Sequence, residues 1–332
     1  MRAVEIDAFG GIEVLRIRDV PTPEPAENEV IVKLAYAGVN YTDVYRRNGD
    51  YAQSPTYPTP LPARIGVDGT GFVSAVGNAV SHVAVGDRVA FTRIQGSYAE
   101  FAAVPEAVVM PVPDDLGFDI AAALITQGTT AHYLATSAWP LEPGHSCLVH
   151  AGAGGVGQLL IQIAKIRGAR ALATVGSAEK AEIAKARGAD EAILYRDVDF
   201  REAVMTATEG EGVDVVYDSV GKATFYDSIH CLRPRGLCVL FGHASGKIES
   251  LNPLDLSEAG SIFFTRPHMA HYIRTREELE GRWTDLTSWA LDGRLVVAID
   301  RVLPLDRAGE AHGVMEARES RGKLLLQIAH LE

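Results

Sequence analysis

The spacing of apolar residues predicts a β-rich segment at the start of the chain. Residues 30–36 have the composition of a strand, and residues 71–77 and 87–91 predict two further short strands. Glycine-rich breaks between such short strands are typical of a small barrel rather than of a parallel sheet. The four prolines of residues 51–62 predict either an ordered surface loop beside a site or a plain connector.

Farther along the chain, strand-like runs alternate with helical segments. An alanine-rich helical stretch is predicted first, at residues 119–136. Beyond it the pattern predicts strands at residues 147–150, 171–175, 191–194, 213–217 and 237–241, separated by helices at residues 156–167, 179–186, 200–208 and 223–232. Alternation of this kind with short links predicts a doubly wound parallel sheet, so the fold class is α/β.

The C-terminal part of the chain is too small to form a domain by itself. It predicts helices at residues 277–291 and 306–317 and extended segments at residues 298–303 and 324–328. We therefore expect this tail to fold back onto the N-terminal part. The prediction is one domain built from residues 1–122 and 268–332, a second built from residues 123–267, and a ligand cleft between them. A length of 332 residues also favours two domains.

Composition narrows the set of partners. Hydrophobic residues make up 47% and charged residues 22%, as in an ordinary globular protein. The net charge of -12 repels phosphate backbones and anionic headgroups, so neither nucleic acid nor a membrane is an expected partner. The sequence starts without an apolar signal segment. Cys147, Cys231 and Cys238 lie in apolar contexts, so we expect buried thiols and a cytoplasmic location.

A glycine-rich turn between a predicted strand and a predicted helix is the strongest local signal. Gly152, Gly154 and Gly157 fill the pattern G-x-G-x-x-G, and Gly155 and Val156 lie inside it. The pattern assigns the tight turn to Gly152, the approach of a pyrophosphate to Gly154, and close packing of helix on strand to Gly157. The N–H groups at the start of the helix would hold phosphates. The turn therefore predicts a dinucleotide site.

The end of the second predicted strand favours NADPH over NADH. An NAD site usually places a carboxylate there for the ribose hydroxyls. In this chain the small residues Gly176 and Ser177 stand at that point and leave room for a 2′-phosphate. Lys180 and Tyr195 supply a cation and a hydroxyl that could bind it. Glu179 is the counter-argument, although an acid in a first helical turn also suits the helix dipole.

Motifs of recognisable spacing extend over essentially the whole chain. They are Phe9–Leu15, Ala37–Arg47, Gly66–Gly71, Val85–Val89, the spaced set Gly144, His145, Leu148, Gly152–Gly155, Gly157, Gln162 and Lys165, and then Asp218–Gly221, Phe241–Gly242 and Thr265–Pro267. Together they resemble the zinc-independent, zeta-crystallin-like quinone oxidoreductases of the medium-chain dehydrogenase/reductase superfamily. The resemblance implies a GroES-like β-barrel catalytic domain and a Rossmann domain that binds NADPH.

The same comparison of motifs argues against a zinc enzyme. Zinc-dependent members of the superfamily carry a cysteine where this chain has Asn40, and Gly-His-Glu where it has Gly66, Val67 and Asp68. Valine cannot bind zinc, and a zinc site needs about four N, S or O donors. We therefore expect no metal and reject a classical zinc alcohol dehydrogenase.

The resemblance implies reduction of a quinone by hydride transfer from C4 of the NADPH nicotinamide. The residues that it implies for the reaction are Asn40, Tyr45, Tyr51 and Thr130. Those that it and the glycine-rich turn imply for the cofactor are Asn40, Tyr45, Gln127, Thr130, Gly152, Gly154, Gly155, Val156, Gly157, Gly176, Ser177, Lys180, Tyr195, Ser219, Phe241, Gly242, Ser245, Phe264, Thr265 and Arg318. Tyr45 and Tyr51 could form an aromatic wall against a flat acceptor.

Two other functions remain open from sequence. One is NADPH-dependent reduction of α,β-unsaturated carbonyl compounds, for which Tyr45 is the visible proton donor. The other is a zeta-crystallin-like structural or RNA-binding role, against which the net charge weighs. We also expect a homodimer, with the apolar residues Ile262, Phe263 and Phe264 at a sheet edge pairing with their symmetry mates.

Overall fold

The computed structural model describes residues 1–330. Its strands are β1 (Arg2–Ile6), β2 (Arg16–Asp19), β3 (Glu29–Val39), β4 (Ala63–Arg64), β5 (Gly69–Val76), β6 (Arg88–Phe91), β7 (Phe101–Pro105), β8 (Val109–Pro111), β9 (Ser146–Val149), β10 (Arg170–Val175), β11 (Glu191–Leu194), β12 (Val213–Asp218), β13 (Leu232–Leu240), β14 (Phe263–Thr265), β15 (Ile299–Pro304) and β16 (Lys323–Gln327). Its α-helices are α1 (Tyr41–Asn48), α2 (Phe118–Ile125), α3 (Gln127–Tyr133), α4 (Gly155–Ile166), α5 (Ala178–Ala186), α6 (Phe200–Ala207), α7 (Phe225–Ile229), α8 (Pro253–Glu258), α9 (Arg276–Leu291) and α10 (Ala308–Glu316).

These elements form two compact units. The first unit comprises Met1–Thr126, Thr275–Leu291 and the chain from Val297 onward. The second unit comprises Gln127–Arg274 and the short stretch Asp292–Val296. No helix of residues 1–330 combines the length and the apolar character needed to cross a membrane.

The first unit is built around a seven-stranded sheet. Its strand order is β15-β16-β3-β5-β6-β8, with β7 also paired to β3, and a smaller sheet has the order β2-β1-β4. β16 runs antiparallel to β3, with Leu324 opposite Val39, so the end of the chain completes the sheet that the N-terminal residues begin. Alternate apolar side chains of β3, including Val30, Val32 and Leu34, are fully buried in the core of this unit.

The second unit contains one six-stranded sheet in which every neighbouring pair is parallel. The strand order is β11-β10-β9-β12-β13-β14. The chain starts in the middle, moves outward to β11, and then returns to build the other half from β12. Because parallel crossovers are right-handed, this reversal places helices on both faces, and the predicted doubly wound sheet is confirmed. The reversal lies between β9 and β12. In sheets of this kind, ligands bind at such a reversal, at the carboxyl ends of the strands.

Two predicted helices differ from the structure. The alanine-rich helix predicted at residues 119–136 is divided, because α2 ends at Ile125 and the Thr126 hydroxyl contacts the Thr92 hydroxyl at 2.6 Å. α3 then begins at Gln127 in the second unit. The helix predicted at residues 223–232 is only the single turn α7, because Leu232 already pairs with Val213 as the start of β13. Pairing between strands, which local periodicity does not encode, overrides helical spacing there.

Candidate functional site

The glycine-rich turn leaves β9 in the second unit and enters α4. Its left-handed residue is Ala151, with φ of 55°, and not Gly152. Gly152 instead packs against β10: its N–H donates to the Thr174 carbonyl at 3.0 Å, and a Cβ on it would lie 2.7 Å from the Cβ of Ala173. The prediction that Gly152 is the residue that makes the tight turn is therefore wrong. The glycine is needed because the neighbouring strand comes close.

The other two glycines of the pattern have different surroundings. A Cβ on Gly157 would lie 2.3 Å from the carbonyl oxygen of Ala151, so the first turn of α4 rests directly on the backbone of the preceding turn. A Cβ on Gly154 would have Ala151 O, at 3.2 Å, as its one neighbour within 4 Å. The outer side of Gly154 is therefore open. The first N–H groups of α4, near Val156, have no partner within the helix, so this opening suits a pyrophosphate.

Two buried oxygens at the start of α3 have no hydrogen-bond partner in residues 1–330. They are Oε1 of Gln127 and Oγ1 of Thr129. A Cβ on Gly155 would lie 1.9 Å from Oε1 of Gln127, so Gly155 is a glycine because Gln127 approaches it. A buried oxygen without a donor is costly, which fits a ligand that supplies N–H or O–H groups beside the turn. Thr130, predicted to contact the nicotinamide, lies on the same helix.

The tip of β10 carries no carboxylate. Gly176 and Ser177 follow the strand, and a Cβ on Gly176 would lie 3.0 Å from the hydroxyl of Tyr195. The Ser177 side chain caps α5 by accepting the N–H of Lys180 at 3.3 Å. The Tyr195 hydroxyl thus lies beside Gly176, and the start of α5 follows at once, and a hydroxyl and a helix N-terminus both suit a 2′-phosphate. Glu179 lies in the first turn of α5, as expected for an acid near a helix N-terminus.

The remaining predicted cofactor residues of the second unit fall into two groups. Ser219 and Phe241 directly follow β12 and β13, and a Cβ on Gly242 would lie 2.5 Å from the carbonyl oxygen of Ser219. These three are brought together at the carboxyl ends of neighbouring strands.

The second group makes contacts within the unit, and its role at the cofactor stays a prediction. The Ser245 hydroxyl donates to the Val220 carbonyl and accepts the N–H of Ala223. The Phe264 ring packs edge-on against Phe225 at 5.3 Å, and Thr265 follows it in β14.

In the first unit, the side chain of Asn40 is held from both ends. Its Oδ1 accepts a hydrogen bond from Nζ of Lys323 at 2.8 Å. Its Nδ2 donates to Oδ1 of Asp68 at 3.0 Å and to the carbonyl of Gly38 at 3.3 Å. Since both amide hydrogens are used, Asn40 can offer a ligand only the second lone pair of Oδ1. Lys323 and Asp68 are site residues that sequence reasoning missed. The available signal was the position of Lys323, a lysine directly before an apolar run.

Asn40 also begins a buried polar chain behind α1. Its backbone N–H donates to Oδ2 of Asp43, which also accepts from the Tyr98 hydroxyl at 3.1 Å. The Tyr98 oxygen lies 3.2 Å from Nε2 of His312, and the other ring nitrogen lies 3.3 Å from Nη1 of Arg47. Burial, followed by the charge of Asp68, raises the pKa of Asp43 to about 7.

His312 and Lys323 belong to the same group of buried polar residues. Their pKa values are lowered, whereas that of Asp43 is raised. Burial, followed by the charge of Arg47, lowers the pKa of His312 to about 3. Burial also lowers the pKa of Lys323, opposed by the charges of Asp68 and Asp43.

Tyr45 and Tyr51 belong to a tyrosine cluster on and after α1. Their rings meet edge-on at 5.6 Å, and Tyr51 stacks on Tyr57 at 4.3 Å with an angle of 15° between the planes. Arg46 lies over the Tyr57 ring and donates to the Pro58 carbonyl at 2.9 Å, which holds the proline-rich loop against the helix. The predicted aromatic wall therefore exists as a set of packed rings. Arg318 lies after α10 in the same unit, exposed and with φ of 58°.

The surroundings of Asn40 do not fit a zinc ion. In residues 1–330 no group of three or more His, Cys, Asp and Glu side chains could hold a metal. Val67 is buried and offers no donor atom. The Lys323 ammonium already contacts Asn40 and lies 3.5 Å from Oδ2 of Asp68, and a second cation there would be repelled. The three cysteines are buried and free, as predicted, and lie in the second unit.

A parallel sheet with this strand order, a glycine-rich turn and a polar strand tip define a dinucleotide-binding oxidoreductase fold. Residues 26–114 match the family model described as an alcohol dehydrogenase GroES-like domain, and residues 155–291 match that of a zinc-binding dehydrogenase. The chain belongs to the quinone oxidoreductase family of the medium-chain dehydrogenases/reductases, as the following relatives show.

The similarity to individual members extends over full lengths. A quinone oxidoreductase of Salmonella typhimurium is 40% identical over 97% of this chain and 98% of its own. A 2-haloacrylate reductase of a Burkholderia species is 35% identical over 98% of each chain. The solved structure of Escherichia coli quinone oxidoreductase complexed with NADPH superposes with a TM-score of 0.95, at 37% identity, covering 99% of this chain and 100% of that one.

Proposed function

We propose that this protein is an NADPH-dependent reductase of quinones that works without a metal ion. When bound, the nicotinamide of NADPH supplies the hydride, and the protein supplies binding and orientation. The observation that carries the proposal is the tip of β10, where Gly176 and Ser177 stand in place of a carboxylate and the Tyr195 hydroxyl lies beside Gly176. The quinone oxidoreductase relatives and the solved NADPH complex support the same assignment.

The second unit is proposed as the NADPH-binding domain. Gly154 and the first N–H groups of α4, from Gly155 to Gly157, would bind the pyrophosphate. Ser177, Lys180 and Tyr195 would bind the 2′-phosphate. At the nicotinamide end, Oε1 of Gln127 would accept a hydrogen bond and the hydroxyl of Thr130 would accept or donate one. Ser219, Phe241 and Gly242 would border the cofactor. The buried unpaired oxygen of Gln127 supports this placement, because a ligand N–H or O–H would satisfy it.

The first unit is proposed as the catalytic domain. Asn40 would accept a hydrogen bond through Oδ1, because its amide hydrogens are both engaged. The rings of Tyr45 and Tyr51 would provide an apolar, flat contact for an aromatic acceptor. Arg318 is proposed as a cofactor contact from this unit. A reduced quinone anion is a weak base and can take its proton from water, so no dedicated acid is needed.

The test is a set of NADPH oxidation assays with a panel of quinones, after exhaustive treatment with a chelator. We expect turnover with NADPH, no effect of the chelator, and weak turnover with NADH. Loss of activity on chelation would overturn the metal-free mechanism. Equal turnover with NADH would overturn the assignment of the β10 tip to a 2′-phosphate.

Reduction of α,β-unsaturated carbonyl compounds is the second candidate. The observation in its favour is the 35% identity to a 2-haloacrylate reductase. Conjugated enals and haloacrylate in the same assay distinguish the two, since turnover of these compounds alone would move the function to alkene reduction while leaving the cofactor assignment intact.

A homodimer and a cytoplasmic location complete the proposal. β14 is the last strand of its sheet, and Phe263 on it is 61% exposed, so an apolar edge is available for pairing with a second copy. Three free cysteines suit a reducing compartment.

A further inference from the structure

A row of buried polar side chains crosses the sheet of the second unit directly beneath the glycine-rich turn. It consists of Thr174 on β10, His150 at the end of β9, Ser228 on α7 and Asp218 at the end of β12. All four are at most 2% exposed. Nδ1 of His150 lies 2.8 Å from Oγ1 of Thr174, Nε2 lies 2.9 Å from Oγ of Ser228, and that hydroxyl lies 2.9 Å from Oδ2 of Asp218.

Asp218 and the neutral form of the His150 ring together fix the direction of every hydrogen bond in this row. Its carboxylate has four donors around it, the N–H groups of Val220 and Gly221 and the hydroxyls of Thr224 and Ser228. A carboxylate only accepts, so the single hydrogen of the Ser228 hydroxyl is used on Asp218. Nε2 of His150 must therefore carry a hydrogen and donate to Ser228. Nδ1 is then a lone pair, and the Thr174 hydroxyl donates to it.

A neutral imidazole gives this arrangement one defined tautomer. Burial lowers the pKa of His150, with the charge of Asp218 acting in the opposite sense, so the neutral ring persists at physiological pH. The row therefore does not supply a proton. Its role is structural, because it joins the ends of three adjacent strands by hydrogen bonds of fixed direction.

Three members of the row also adjoin or hold backbone of the proposed cofactor site. The residue after His150 is Ala151, the left-handed residue of the turn. The carbonyl of Thr174 accepts the N–H of Gly152. The Asp218 carboxylate accepts the N–H groups of Val220 and Gly221. The backbone carbonyl of Asp218 accepts the N–H of Phe241 at 2.8 Å.

We propose that His150 is a positioning residue for the dinucleotide. Through Thr174 and Ser228 it sets the glycine-rich turn, the β10 tip and the loop after β12 at a fixed spacing. The inference rests on the proposed NADPH site, and none of its residues contacts the acceptor in the proposed function.

The test compares hydroxyl removal at the two ends of the same strands. Thr174→Val and Ser228→Ala each break the row. Ser146→Ala is the matched control, because Ser146 on β9 also donates its hydroxyl to a carboxylate on β12, Oδ2 of Asp214, but at the opposite end of the sheet. Thr174→Ser is the conservative variant that keeps the hydroxyl. The dissociation constant for NADPH is measured by fluorescence titration, with thermal melting of each variant as the measure of stability.

We expect the dissociation constant for NADPH to rise about tenfold in Thr174→Val and Ser228→Ala, the effect of one lost hydrogen bond on positioning. Thr174→Ser and Ser146→Ala should stay within about twofold of the wild type. In turnover assays KM for NADPH should rise while kcat at saturating NADPH changes little, because a displaced turn lowers occupancy rather than the rate of hydride transfer.

Wild-type affinity in Thr174→Val would overturn the proposal, and so would an equal loss of affinity in Ser146→Ala, which would reduce the row to ordinary stability. If Ser228→Ala did not fold, the Val and Ser variants of Thr174 would decide alone, because Thr174→Val loses the hydroxyl and Thr174→Ser keeps it. Wild-type protein that bound NADH in place of NADPH would overturn the proposed cofactor, and the same comparison with NADH would still decide the role of His150.

Discussion

Asp43 shows what burial does to a single side chain in the first unit. It is fully buried, and its Oδ1 has no hydrogen-bond partner in residues 1–330. Asp68 lies in the same polar chain, and the Lys323 ammonium is shared between Asp68 and Asn40. Two carboxyl groups thus compete for one nearby lysine. Burial is the main cause of the raised pKa of Asp43, and the nearby charge of Asp68 is the second.

Replacing Asp43 by asparagine should remove a pH dependence of stability. The pKa of Asp43 is raised from 3.8 to about 7, so between these values the folded chain holds a proton that the unfolded chain has lost. The free energy of unfolding of the wild type should therefore fall as pH rises through this window, by up to about 1.4 kcal/mol per pH unit, and change no further above it. Asp43→Asn should lack this decline.

The measurement is urea unfolding of both proteins over the same pH range. Asp114→Asn, whose carboxyl group is fully exposed, is the control and should follow the wild type. Parallel curves for Asp43→Asn and the wild type would show that Asp43 is ionised throughout.

At the scale of elements, the junction of β10 and α5 is the place where the proposed function puts the choice of cofactor. The strand ends at Val175, and Ser177 caps the helix through the N–H of Lys180. A capping residue is exchangeable among Ser, Thr, Asp and Asn with little effect on the helix. The charge at this position can therefore be changed while the local structure is kept.

Ser177→Asp should convert the preference from NADPH towards NADH. The new carboxylate would repel a 2′-phosphate and could bind ribose hydroxyls, so kcat/KM for NADPH should fall by about tenfold or more while that for NADH rises. Ser177→Asn is the matched control, since it caps the helix without charge. The ratio of kcat/KM for the two cofactors is the measurement, and an unchanged ratio in the Asp variant would place the 2′-phosphate elsewhere.

At the scale of the whole molecule, the sheet of the second unit ends in two different edges. β11 forms one edge and the short strand β14 the other. β14 carries Phe263, 61% exposed, and precedes no further strand of the sheet. An exposed apolar edge is a site of pairing or aggregation unless a partner covers it.

Phe263→Lys should therefore shift the proposed homodimer to monomers. A lysine at each symmetry-related edge would place like charges next to each other and remove apolar area from the contact. Sedimentation velocity over a range of concentrations measures the change. Val198→Lys, which replaces an exposed apolar residue near the β11 edge, is the control and should leave the association state unchanged. A Phe263→Lys protein that associates like the wild type would remove β14 from the interface.

Most of the fold could be predicted from the sequence because strands and helices of the second unit follow local periodicity. β11 has the predicted bounds, α5 and β10 each begin one residue before the predicted start, and α4 differs from prediction by one residue at both ends. The glycine-rich turn was also recognisable, since its residues are consecutive. The role given to Gly152 was wrong, because the residue that matters to it, Ala173, lies on another strand.

The sequence by itself determined the order of elements, the dinucleotide turn and the uncharged tip of β10. Only the tertiary structure decided which polar groups meet. Asn40 and Lys323 are 283 residues apart in the chain, and His150 and Ser228 are 78 apart. Periodicity and capping act over a few residues, whereas these contacts depend on strand pairing across a sheet. The buried partners that fix Asn40 and the glycine-rich turn therefore became visible only once the strands were in register.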